Sequence, residues 1–244
     1  MKRIFLAAAL STTMMFSGCD TLSNIAGALS QGEMSAGLKE ALTMGLFSGF
    51  DAFANSDNGN ALLRFAFPGD AAKIEKTLRD LGLTSVVNSV TSKFTNAMSL
   101  AVKEAKPIFL NSVKQMSFSD AAGILLTNNR HAATQYFKSA MSSQLMTAFR
   151  PIVDSTVKIS GAGREYETIA RTYNAIPFMD KKIETNLNDF IAARAIDGMF
   201  LYVANEEENI REKIAYRKTD LLKRVFGYAD QYMKTKTGVS VGGY

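Results

Sequence analysis

Tryptophan is absent from this 244-residue chain, which holds one cysteine, one histidine and four prolines. Each scarcity closes a class of function. Cys19 alone forms no internal disulfide. With one His and one Cys, the Cys/His sets that hold structural zinc or haem do not assemble. His131 follows Asn128-Asn129-Arg130 and reads as a residue of a helix start rather than a general base. No Ser stands in a Gly-x-Ser-x-Gly elbow. Gly161-Ala162-Gly163 lacks the third glycine and the preceding strand of a phosphate loop, so it reads as a turn. The run Glu206-Glu207-Glu208 lacks the alternating ligands and central glycine of a calcium loop. It reads as a solvated helix face, with Glu207 four residues before Arg211 in a surface pair worth about 0.3–0.5 kcal/mol. No metal, no cofactor and no enzymatic activity are expected. The net charge of +5 falls short of a nucleic-acid footprint.

Long apolar runs are scarce too, and the one at the start is informative. Lys2 and Arg3 precede an apolar stretch over residues 4–16, too short for the about 20 residues that span a bilayer. It fits the h-region of a secretory signal. Phe16-Ser17-Gly18-Cys19 then resembles a bacterial lipobox, in which the Cys is acylated and the leader is cut just before it. The expected product is a mature chain from Cys19, lipidated there and held on a membrane of the bacterial envelope, facing the periplasm. Asp20 resembles an inner-membrane retention signal and leaves the choice of membrane open. Residues 1–18 are therefore read as a signal peptide and residues 19–34, rich in Ser, Gly and Ala, as a tether. A helical domain over residues 35–233 and a loose tail over residues 234–244 complete the plan.

From residue 35 onward apolar residues recur at helical spacing almost throughout. Leu38, Ala41, Leu42, Gly45, Leu46, Gly49 and Phe50 make one stripe, with Gly45 and Gly49 placed for close helix approach. Leu63, Phe65 and Phe67 alternate with Arg64 and Ala66, which predicts one short β excursion over residues 61–67. Asp70 caps a helix that Gly82 ends. A helical stretch over residues 84–116 must bend or divide at Pro107. Ser117 and Asp120 have capping-box spacing. Another long helix, from residue 131, is expected to stop at Pro151, and Pro177 ends a further one. Helices over residues 185–213 and 219–233 close the domain. The predicted class is all-α, a multi-helix bundle. Met and Phe, 12 and 16 in number, are its expected packing residues.

Several segments together resemble a bacterial lipoprotein family catalogued as domain of unknown function 4197. They are Gly37-Leu38-Lys39-Glu40-Ala41-Leu42 with Gly45, Ala105-Lys106-Pro107-Ile108-Phe109, Ala132-Ala133-Thr134-Gln135-Tyr136-Phe137, and Phe149-Arg150-Pro151. Ala195-Ile196-Asp197-Gly198-Met199-Phe200 and the closing run Thr219-Asp220-Leu221-Leu222-Lys223-Arg224-Val225-Phe226-Gly227 are the others. The resemblance implies a helical envelope lipoprotein and assigns no activity.

Among the acids, Asp197 stands out because Ile196, Met199 and Phe200 surround it on an apolar helix. A buried carboxylate needs a partner, and Arg194, Arg211 and Arg217 are the candidates. The four form either a structural ion pair or an anion site, the structural pair being favoured. The functional expectation is a non-enzymatic interaction or scaffold protein, held to the membrane by its acyl chains and contacting a protein partner or its own copy. The alternative is a carrier or sensor of an apolar ligand in a gap between Met- and Phe-rich helices.

Overall fold

Ser30 and Glu33 cap each other to open the first helix. The Ser30 amide donates to Glu33 Oε2 at 3.0 Å and the Glu33 amide donates to Ser30 Oγ at 3.2 Å. The computed structural model describes residues 29–55, 61–177 and 182–237. Side chains at 45–49, 51, 52, 55 and 237 are not among those described, so the Gly45–Gly49 reading lies outside, as do the predicted signal peptide, Cys19 and most of the predicted tail. Helix α1 (Gln31–Asn55) begins inside the predicted tether, and Leu29 and Met34 are already buried. Among the described residues, packing thus already includes residues 29 and 34 of the predicted tether.

The helices that follow are α2 (Ala71–Asp80), α3 (Thr84–Lys103), α4 (Ala105–Gln115), α5 (Phe118–Leu125), α6 (Ala132–Ser160), α7 (Ala162–Asn174), α8 (Asn188–Glu212) and α9 (Asp220–Thr237). A single 3-10 turn, Ile214–Tyr216, joins α8 to α9. The α-helical bundle is as the sequence predicts. Helices α6 and α8 pack along each other, α3 lies against both, and α1 packs on α5, α8 and α9. Phe94, Met98, Phe109, Phe137, Met141 and Phe149 are wholly enclosed between them. Each such side chain contributes about 1.5–3 kcal/mol of burial. The rings of Phe109 and Phe137 meet at 4.6 Å, tilted by 40°.

The β excursion does not form. Residues 64–67 run without helix or ladder, and no other strand lies among the described residues to pair with them. The alternation is real, because Leu63, Phe65 and Phe67 are buried while Arg64 is exposed. It serves a strap laid on helices instead. The Phe65 amide donates to Thr95 Oγ1 of α3 at 3.0 Å, and the Phe65 ring meets Phe94 and Phe190 edge-on. Gly198 of α8 makes room for this strap, since a Cβ there would collide with the Leu62 carbonyl.

The prolines divide. Pro107 sits in the first turn of α4, where its missing amide has no partner to lose, and the break falls at Glu104. Pro151 does not stop α6, which runs on to Ser160. Pro151 and Thr147, whose carbonyl loses its amide donor, are both exposed, so water can serve that carbonyl. Gly161 ends α6 with a left-handed φ of 72°, and Gly82 does the same after α2 at 81°.

Candidate functional site

On α8, Phe200, Val203, Glu207 and Ile210 fall on one buried stripe, three or four residues apart. Glu207 is thereby carried inside, where it is only 7% exposed, contrary to the solvated face predicted for residues 206–208. Its Oε1 accepts from the Ala133 amide at 2.9 Å, and its Oε2 from the Thr134 amide and hydroxyl, both at 2.9 Å. These amides belong to the first turn of α6, whose own N-cap, His131, supplies no side-chain cap. A carboxylate on one helix thus caps another and complements its dipole. Arg211 closes the network, donating to Glu207 Oε1 from Nε at 3.0 Å and from Nη2 at 2.9 Å. Its Nη2 also reaches the Ile124 carbonyl of α5 at 2.8 Å.

Arg217 performs the opposite service at the far end of α8. It is 4% exposed, with Nε on the Ile210 carbonyl at 3.0 Å and Nη2 on the Arg211 carbonyl at 2.6 Å. Nη1 pairs with Asp230 of α9 at 2.7 Å, and the guanidinium lies 5.6 Å from the Phe226 ring. Carbonyls left open by the last turn of α8 are satisfied by a cation from the next segment.

The predicted cluster around Asp197 is not assembled. Asp197 lies on the exposed side of α8 and pairs with Lys138 of α6 at 3.1 Å, both about half exposed. Arg194 stands exposed on α8, and Arg211 and Arg217 are committed as described. Asp197 belongs to the outer side because Ile196, Met199 and Phe200 already take the inward positions of that turn. His131 sits on the rim, its Nε2 3.5 Å from Glu208, which Arg130 also contacts.

Two open surfaces stand out among the described residues. A cleft of about 350 Å³ lies between α6, α7 and residues 185–188, rimmed by Asp154, Lys158, Glu167 and Asn186. Both of its carboxylates are engaged: Asp154 accepts from Asn188 Nδ2 at 2.6 Å, and Glu167 from Arg171 Nε at 3.1 Å. Tyr166 forms part of its lining, and burial pushes its hydroxyl well above the usual tyrosine range. Between α4 and α6, two clefts of about 570 and 510 Å³ share Pro107, Ile108 and Ala148. Together they form a continuous groove, with Leu100 and Ile152 at one end and Asn111 and Gln144 at the other. No three His, Cys, Asp or Glu side chains among the described residues group closely enough to hold a metal ion.

Residues 28–227 match the family described as a protein of unknown function, DUF4197. The chain belongs to the DUF4197 family. No curated protein and no solved structure matches it. The segments that carry the DUF4197 resemblance have structural work in this fold. Gly37 of α1 packs on Val225 of α9, where a Cβ would clash, and Gly198 seats the Leu62 carbonyl. The burial of Glu207 was open to the sequence, since its spacing from Phe200, Val203 and Ile210 is helical; the acidic neighbours on either side masked it.

Proposed function

We propose that this DUF4197 protein is a lipid-anchored protein of the bacterial cell envelope that works by contact, through the α4–α6 groove, rather than by catalysis. The groove carries the reading. Its apolar floor of Leu100, Pro107, Ile108, Ala148 and Ile152 lies open between two helices, with Lys103, Glu104, Asn111 and Gln144 around it. That is the form of a seat for an apolar helix face of a partner protein, with a polar rim to fix its register. The anchor reading rests on Lys2, Arg3 and Phe16-Ser17-Gly18-Cys19. No described helix is long and apolar enough to cross a membrane.

Nothing specific favours the carrier alternative. Met98, Met116, Met141 and Met199, which it needs around a gap, are buried as packing between helices. The apolar pocket between α1, α6, α8 and α9 holds about 20 Å³. A ligand pocket needs about 300 Å³ or more and encloses its guest, whereas the clefts above that size, beside α7 and between α4 and α6, lie open at the surface. The groups that catalysis would draw on have other partners: Cys19 is taken as acylated, His131 leans on Glu208, and Asp154 and Glu167 are engaged by neighbours.

The test is site-specific photocrosslinking in cells, with a photoreactive residue at Ile108 and another at Ile159 on the far end of α6. One discrete protein adduct from position 108, lost on Ala148→Glu and absent from position 159, is expected. An adduct at twice the protein's own mass would replace the partner with a second copy. No adduct from position 108 would sink the groove reading.

A further inference from the structure

We propose that one end of the bundle rests on the membrane, with Ile214 and Tyr216 seated among the headgroups of an anionic bilayer. This rests on the lipid-anchored reading above. Ten peptide steps separate Cys19 from Leu29, the first described residue, which is buried in the core. Fully stretched they reach at most about 35 Å. The end of the domain that holds Leu29 therefore stays near the bilayer.

The 3-10 turn lies at that same end. Glu33, in the first turn of α1, pairs with Arg224 of α9 at 2.8 Å. Tyr216 precedes Arg224 by eight residues, about half of them helical, so the two stand within about 20 Å. Ile214 is 71% exposed and Tyr216 39% exposed, an unusual placement for two large apolar side chains two residues apart on a short turn. Lys213 and Lys218 flank them, both exposed.

The turn is held firmly from behind. Buried Arg217 ties it to the last carbonyls of α8 and to Asp230, while Lys213 bonds Asn209 at 2.8 Å and lies 5.5 Å from the Tyr216 ring centre. An aliphatic tip, an amphipathic aromatic and flanking lysines are the composition of a membrane interface. Lysine ammonium groups meet lipid phosphates while the apolar tips leave water. Acidic groups temper the charge. Glu206 faces Lys213 and Lys218, Asp220 pairs with Lys223, and Glu33 takes Arg224. Attachment at this face is thus led by the apolar tips and assisted by Lys213 and Lys218.

The test uses the full-length protein carrying Ile214→Cys, labelled with an environment-sensitive fluorophore and reconstituted into phosphatidylethanolamine–phosphatidylglycerol vesicles. Ile159→Cys, 83% exposed in the last turn of α6, is the control. Glu207 holds the first turn of α6 against α8, so position 159 lies about 40 Å further along that helix. The expected result is a blue shift and quenching by headgroup-labelled lipid at position 214, with neither at position 159. Mass spectrometry of the Cys19 peptide from the same sample separates the two readings. An acylated Cys19 with the probe at position 214 fully in water overturns this inference and leaves the anchor standing. An unmodified Cys19 removes the anchor and this inference with it.

Discussion

Glu207 is asked to do three things at once: balance Arg211, cap α6, and occupy a core position on α8. Removing it leaves a largely buried guanidinium and two helix-end amides without their acceptor. Glu207→Ala is expected to destabilise by about 3–5 kcal/mol in urea unfolding, because an unpaired buried charge remains. Glu207→Gln keeps the acceptor oxygen and should lose less. Asp197→Ala, at an exposed pair with Lys138, should change stability by no more than about 1 kcal/mol. Equal losses at the two positions would contradict the assignment of the buried network. Sequence reading chose Asp197 over Glu207 because local apolar neighbours flank the first. The direction each side chain takes depends on where the helix stripe runs, and that is set by α6 and α5 rather than by adjacent residues.

Acid titration offers a second test at this scale. Glu165 of α7 accepts from Lys93 Nζ at 2.6 Å and from Ser89 at 2.9 Å, and the Lys93 bond above all holds its carboxyl below the ordinary range. A carboxylate lowered on folding adds stability above its unfolded pKa, and that stability is lost as pH falls through the folded value. Glu206 runs the other way: burial raises it, so its penalty eases as pH falls through its raised value. The α3–α7 contact should therefore weaken only below the ordinary glutamate range. Glu165→Gln is expected to flatten that acid limb of the melting profile. An unchanged acid limb would count against the Lys93 contact.

At the scale of elements, most helices were legible because their periodic stripes and caps agree. Ser117 accepts from the Asp120 amide at 3.1 Å, as the capping-box spacing predicts, and Ser117→Ala should cost about 1 kcal/mol. The equivalent Ser30-x-x-Glu33 box is hidden in the sequence by Ser- and Gly-rich surroundings that suggest a tether. At Pro151 the local penalty says stop, yet Phe149 and Val153 on either side are both buried in the core. Packing of that face carries the helix through. Pro151→Ala should restore a donor for the Thr147 carbonyl and raise stability by up to about 3 kcal/mol. A fall in the melting temperature would instead mean that a bend at Pro151 is needed to seat those two side chains. The strap at residues 61–67 shows the limit of period-2 patterns: they report which side chains face inward, not whether a second strand exists.

For the whole molecule, the all-α bundle and the family were readable, while the groove was not. Leu100, Ile108, Ala148 and Ile152 look like ordinary stripe residues until the end of α3, α4 and α6 are placed side by side and leave them half-buried along one groove. The proposed contact through this groove takes place at a membrane, which requires the proposed acylation of Cys19. The most direct measurement is the mass of the N-terminal peptide from protein purified out of bacterial membranes. A peptide beginning at Cys19 and carrying acyl chains is expected, and Cys19→Ala should abolish both the modification and cleavage at that point. An unmodified N-terminus at any other residue would contradict the account.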